Sequence, residues 1–165
     1  MRILLDRVYK GAGYVAGAFI VLIALMILAQ IIGRWIGVIV PSTEDFAGYF
    51  LAASSFLALA YTFKQGGHIR VTLLVGHFRA SARNLFLIFA LAVFALIIGY
   101  GAYYTSALVI ESWQFGELSQ GYIAVPIWIP QTPMAAGLII FFVALIDELI
   151  FVLRGGVPAF LELED

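Results

Sequence analysis

Residues 41–83 read PSTEDFAGYFLAASSFLALAYTFKQGGHIRVTLLVGHFRASAR. A short acidic cap, Ser42-Thr43-Glu44-Asp45, leads into an apolar run from Phe46 to Phe63, and a basic segment follows from Lys64 to Arg83. The apolar run is long enough to cross a bilayer, and the basic segment tells on which side it ends. Lys64, Arg70, Arg79 and Arg83 form the densest positive cluster in the chain, and short loops rich in Lys and Arg stay on the cytoplasmic side. Every other span takes its direction from this one.

The rest of the chain agrees with a membrane setting. Of its 165 residues 64% are hydrophobic and 12% charged, with a mean hydropathy of +1.06, far more apolar than a soluble domain of ordinary composition. A formal net charge of −1 and the absence of any basic run alternating with aromatics exclude nucleic acid as a partner. There is no cysteine, which removes disulfide frameworks, thiol nucleophiles and thiolate metal sites. Met1 to Lys10 has the basic start of a signal peptide. The apolar stretch after it, however, is too long for a typical signal core of roughly 7–15 residues, and it ends in Gln30-Ile31-Ile32-Gly33-Arg34-Trp35 rather than a small-x-small cleavage site. It reads as an uncleaved first span.

A hydrocarbon core of roughly 30 Å needs about 20 helical residues. Four stretches meet that need: 12–32, 46–63, 85–109 and 130–153. The expected fold is therefore an all-α integral membrane protein, a single domain over 1–165 with four transmembrane helices in one compact bundle. Eight of the nine basic residues fall on one side: Arg2, Arg7, Lys10, Lys64, Arg70, Arg79, Arg83 and Arg154, against Arg34 alone on the other. Both termini then lie inside. The outer side carries Glu44, Asp45, Glu111 and Glu117, and Trp35, Trp113 and Trp128 fall at its boundary as interfacial anchors in the lipid bilayer.

Within the cytoplasmic loop Val71, Leu74, Val75 and Phe78 fall at i, i+3, i+4 and i+7, which predicts a short helix lying in the interface. An ordinary loop with some apolar residues is the alternative. The outer loop from Ile110 to Trp128 is expected to form a short helix or a dipping segment. Pro126, Pro130 and Pro133 crowd the entry to the fourth span, where missing amide hydrogens are tolerated; only Pro133 lies deep enough to bend it.

Few residues could carry chemistry. His68 and His77 sit in the cytoplasmic loop, so they cannot clamp a haem at mid-membrane, and no cofactor or metal is expected. Ser42 with Asp45 three residues on resembles a capping box at the start of the second span; a pair with Arg34 or contact with a partner protein is the sharper reading of Glu44 and Asp45. Asp147 and Glu148 lie near the inner end of the fourth span and are expected to reach the interface. Small residues supply the positive signal: Gly13 and Gly17 in the first span, Gly48 and Ala52 in the second. At helical spacing such residues let helices approach closely, within the bundle or against a larger membrane partner.

Glu44, the span with Tyr49 and Ala58, the His68-Ile69-Arg70-Val71 segment after it, and the entry from Pro126-Ile127-Trp128-Ile129-Pro130 to Gly137 together resemble the small membrane subunit (DctQ-like) of tripartite ATP-independent periplasmic transporters. The resemblance covers nearly the whole chain. Thr72 stands where the family commonly has an acidic residue, and the second span lacks a tryptophan often found there. The resemblance implies a bacterial inner-membrane subunit, not an enzyme, that pairs with a large transmembrane transport subunit and works with a periplasmic solute-binding protein. Such systems are sodium-driven importers of organic acids, with substrate and ions held by the large subunit. On that footing Glu44, Asp45, Glu111 and Glu117 are expected to receive the binding protein, and Gly13, Gly17, Gly48 and Ala52 to pack on the large subunit. His68 and Arg70 belong to the family's loop motif. The rival classes are an autonomous small transporter or channel, which needs polar pore-lining positions in at least two spans, and a cofactor-binding membrane protein, which needs ligands at depth.

Overall fold

The computed structural model describes residues 2–65 and 80–156. They form four helices: α1 (Arg2–Trp35), α2 (Thr43–Lys64), α3 (Ala80–Phe115) and α4 (Trp128–Leu153). All four are long and apolar enough to cross a membrane. Each contains one expected span, but α1 and α3, at 34 and 36 residues, reach about 50 Å at 1.5 Å per residue and overrun the hydrocarbon. Hydropathy marks where lipid ends, whereas a helix ends where the backbone is turned.

That turning is done by glycine. At Gly116, φ is +63°, and the Gly116 N–H bonds to the Trp113 carbonyl at 3.4 Å while that of Glu117 bonds to Ser112 at 3.0 Å. This is the paired bonding of a Schellman motif, which a left-handed glycine permits and which satisfies the last carbonyls of α3. Gly37, at φ +76°, closes α1 the same way, with Gly37 bonded to Arg34 and Val38 to Gly33. Helix α4 runs unbroken through Pro133.

The helices do not close into a compact bundle. α1 packs on α2, α2 on α4, and α4 on α3, with slight contact between α1 and α4, so the spatial order is an open row, α1–α2–α4–α3. Two hairpins are thereby joined side by side through their second helices. α2 and α4 run parallel, since Phe56 lies at Gly137 and Lys64 at Glu148. A Cβ at Gly137 would collide with the backbone of Phe56 and Leu57, so the missing side chain is what lets these two helices touch.

Phe141, 1% exposed, is the hub of the row. Its ring meets Phe63 of α2 and Phe94 of α3 edge-on, each at 5.7 Å between centroids, a favoured aromatic geometry. Around it lie Ala60, Leu91, Ala95, Ala144 and Leu145. The row leaves its edges open: 6% of the most apolar stretch of α1 is buried, against 39% of that of α4.

Candidate functional site

Two polar clusters stand at opposite ends of the row. At one end lie the α1–α2 connection, the start of α2, the end of α3 and the 116–127 connection. All three tryptophans are there: Trp35 and Trp113 exposed, Trp128 half-buried. So are Glu44, Glu111 and Glu117, all exposed, and Asp45, half-buried.

The expected capping box does not form. Ser42 adopts a left-handed conformation, φ +55°, with no side-chain bond to the α2 amides; its Oγ instead accepts from the Ile123 N–H at 2.9 Å. The 116–127 connection has claimed the hydroxyl. Asp45 faces the same connection, since a Cβ on Gly121 would collide with its carboxylate. Thr43, buried, donates from Oγ1 to the Val40 carbonyl at 3.0 Å. Among the described residues no ion pair joins Arg34 to Glu44 or Asp45.

The 116–127 connection does not form a helix. The Ser119 N–H bonds to the Val125 carbonyl at 2.8 Å, Ile127 N–H to Glu117 at 3.0 Å, and Leu118 and Pro126 form an antiparallel bridge. Ser119 Oγ accepts from Val125 N–H at 3.0 Å, and Ser112 Oγ donates to Glu117 Oε2 at 2.9 Å. A loop pinned by its own backbone and two serines can hold carboxylates in fixed places, as a docking surface requires. A cavity of about 570 Å³, lined by Gln30, Pro41, Thr43, Glu44, Asp45 and Tyr122 among others, opens beside it. Gln30, the notable polar residue of the first span, thus faces the acidic start of α2.

The second cluster, at the far end, corrects the reading of Asp147 and Glu148 as exposed interfacial residues. Lys64 Nζ donates to Asp147 Oδ2 and Glu148 Oε2, each at 2.8 Å, and lies 5.7 Å from the centroid of the Tyr9 ring. Glu148 is 6% exposed and Tyr9 2%. Residues 147 and 148 project about 100° apart on a helix, and the parallel alignment of α2 with α4 sets one ammonium between them. Lys64 belongs in sequence to the loop's positive cluster, yet its charge is turned into the protein. Separations of 83 and 84 residues leave no local pattern by which this contact is visible in the sequence.

The small residues divide. Gly13 is occupied within the chain, because a Cβ there would lie 2.8 Å from the Tyr61 ring. Gly17 and Gly48 have nothing within 4 Å of a Cβ position, and Ala52 is half-buried. His68, Arg70 and the expected interfacial helix lie outside the described residues. Among the described residues no group of three His, Cys, Asp or Glu side chains is placed to hold a metal ion.

With this geometry in hand, the comparisons are specific. The family described as "Tripartite ATP-independent periplasmic transporters, DctQ component" matches residues 23–155, which contain the whole acidic cluster and the Lys64–Asp147–Glu148 contact. No curated protein matches the chain.

Proposed function

The chain belongs to the family of DctQ components of tripartite ATP-independent periplasmic transporters, and on that premise we propose that it is the scaffold and docking subunit of a sodium-driven, binding-protein-dependent importer of an organic acid. In this reading it lies in a bacterial inner membrane with both termini inside, holds the large transport subunit within the bilayer and receives the solute-binding protein on the periplasmic side. The orientation follows from eight basic residues on one side against Arg34 on the other.

One observation carries the scaffold assignment: among the described residues the charged groups at the far end of the row and two hydroxyls along the helices are spent on internal contacts. Lys64, Asp147 and Glu148 bind one another, Thr62 donates to the Ala58 carbonyl and Ser106 to that of Ala102. A transporter acting alone needs unspent polar groups converging at mid-membrane. An open row of helices has, instead, broad faces to offer a partner.

Glu44, Asp45, Glu111 and Glu117 form the docking surface for the binding protein, and the open positions at Gly17 and Gly48, with half-buried Ala52, pack on the large subunit. The test is reconstitution. Vesicles holding this chain alone accumulate no organic acid on a sodium gradient, and uptake requires the large subunit and the binding protein together. Uptake by the chain alone would overturn the scaffold reading.

A further inference from the structure

Ser42 and Asp45 have two sets of possible partners and can satisfy one set at a time. In the structure both hold the 116–127 connection: Ser42 Oγ accepts from the Ile123 N–H at 2.9 Å, and the Asp45 carboxylate packs against Gly121, where a Cβ would collide with it. The same two residues stand at the spacing of a capping box. In that arrangement the Ser42 hydroxyl takes the Asp45 amide and the Asp45 carboxylate takes the Ser42 amide. One seat excludes the other.

The seat that is filled is the strained one. Ser42, at φ +55°, is the one residue other than glycine with a positive φ among the described residues. The left-handed region is unfavourable for a residue with a Cβ, and a capping residue ordinarily has an extended backbone. Helix α2 also goes without a side-chain cap, although a serine at this position normally supplies one. Such strain persists where surrounding contacts hold it. Here they are the Ile123 bond, the packing of Asp45 on Gly121, and the bond from Thr43 Oγ1 to the Val40 carbonyl, which spans residue 42 and depends on its conformation.

The 116–127 connection is built to move as one piece. The bonds from Ser119 N–H to the Val125 carbonyl, from Val125 N–H to Ser119 Oγ and from Ile127 N–H to the Glu117 carbonyl all lie inside it. It meets the start of α2 at its tip, through Gly121 and Ile123. Tyr122, between them, is 88% exposed and lines one side of the cavity of about 570 Å³, whose other side includes the α1–α2 connection from Ile39 to Ser42. We propose that the 116–127 connection is a lid on that cavity, latched shut by Ser42 and Asp45 and released when those two residues turn to cap α2. Release relaxes Ser42 and fills the empty cap, which offsets the loss of the Ile123 bond. The Thr43 bond to Val40 favours the shut state, so the open one is the minor population. The latch stands whether or not the acidic face receives a binding protein.

The test reads backbone amides of the purified full chain by hydrogen exchange at single-residue resolution. Gly121→Ala sets a methyl against the Asp45 carboxylate and leaves Ser42 untouched; Gly121 is not among the left-handed glycines, so alanine suits its backbone. In this variant the Ile123 amide should exchange about tenfold faster and the Asp45 amide about tenfold slower, while Ser119 and Ile127 keep their rates. Adding Ser42→Ala, which removes the capping hydroxyl, should return the Asp45 amide to fast exchange. If the Asp45 amide does not slow in Gly121→Ala, the contact is an ordinary loop packing and the proposal falls. A second measurement leaves the latch unchanged: spin labels at Ile39→Cys and Tyr122→Cys, exposed residues on opposite sides of the cavity in a chain with no other cysteine. Two distances are expected, the shorter dominant, with Gly121→Ala moving the balance to the longer. A single distance, the same with and without Gly121→Ala, would overturn the lid.

Discussion

Lys64 at the end of α2 and Glu148 on α4 are joined at 2.8 Å through Nζ and Oε2, and this contact ties the two hairpins together at the end of the row opposite the acidic cluster. Breaking a buried pair from one side is far worse than never having had it, because the remaining charge stays buried and uncompensated. Lys64→Met is therefore expected to destabilise the purified chain by about 3 kcal/mol or more. The double variant Lys64→Met, Glu148→Met should recover the share of that loss owed to Glu148, the more buried of the two carboxylates. Thermal unfolding in detergent measures both, and additive losses would show that the two residues are not coupled.

At the centre of the row, Phe141 touches both α2 and α3 through its ring. Phe141→Ala leaves a cavity where both hairpins meet, and about 3–5 kcal/mol is the expected loss for a fully buried Phe. Phe141→Leu should recover more than half of it. An unchanged melting temperature in Phe141→Ala would mean that the hairpins are not held together at this ring.

Glycines of equal standing in the sequence should separate sharply in experiment. Gly137→Leu must push α2 away from α4, since even a Cβ there meets the backbone of Phe56; a Cβ at exposed Gly48 has nothing within 4 Å among the described residues. Gly137→Leu is expected to lower the melting temperature of the isolated chain. Gly48→Leu should leave it unchanged while weakening retention of the large subunit. If Gly48→Leu also unfolded the chain, the open position beside it would not be a partner face.

These contrasts show what was legible in the sequence. The four spans were, because length and apolarity alone decide whether a helix can cross a bilayer. The extension of α1 back past Lys10 and of α3 on to Phe115 was not, because charges such as Arg7, Lys10 and Glu111 stop a hydropathy window without stopping a helix. The Ser42 to Asp45 spacing fits a capping box, yet Ile123, 81 residues away, takes the Ser42 hydroxyl. The same holds for Lys64, whose partners are distant in sequence and near only because Gly137 lets α2 and α4 lie together. The compact bundle expected from four spans became an open row for a related reason: hydropathy says that each helix is in lipid, and nothing about which helix it touches.

Orientation is checked by chemistry on this cysteine-free chain. Glu117→Cys should react with a membrane-impermeant thiol reagent in cells with a permeabilised outer membrane, and Arg79→Cys should react only after the inner membrane is opened. The reverse pattern would invert the protein and remove the acidic face from the side where a periplasmic binding protein could meet it.

The acidic face itself has a salt signature. Glu44, Glu111 and Glu117 are exposed, so their charge acts through solvent and is screened over about 8 Å at physiological ionic strength. Charge of this kind changes the rate of encounter and the register of docking more than the strength of a formed complex. Glu44→Lys, Glu111→Lys and Glu117→Lys together should therefore slow uptake most at low ionic strength, by about tenfold or more, with the difference from the unmodified transporter narrowing as salt rises. Retention of the large subunit should not change, because all three stand at the end of the row and away from the open positions at Gly17 and Gly48. Asp45 is left intact in this set, since its carboxylate packs against Gly121 and its replacement would disturb the 116–127 connection as well as the charge; because Glu117 also accepts from Ser112 Oγ, the pair Glu44→Lys, Glu111→Lys is measured beside the triple variant. Uptake measured across a salt series decides the matter. Equal rates for the variant and the unmodified transporter at every salt concentration would return these carboxylates to the role of solvated loop residues, and the binding protein would have to dock elsewhere.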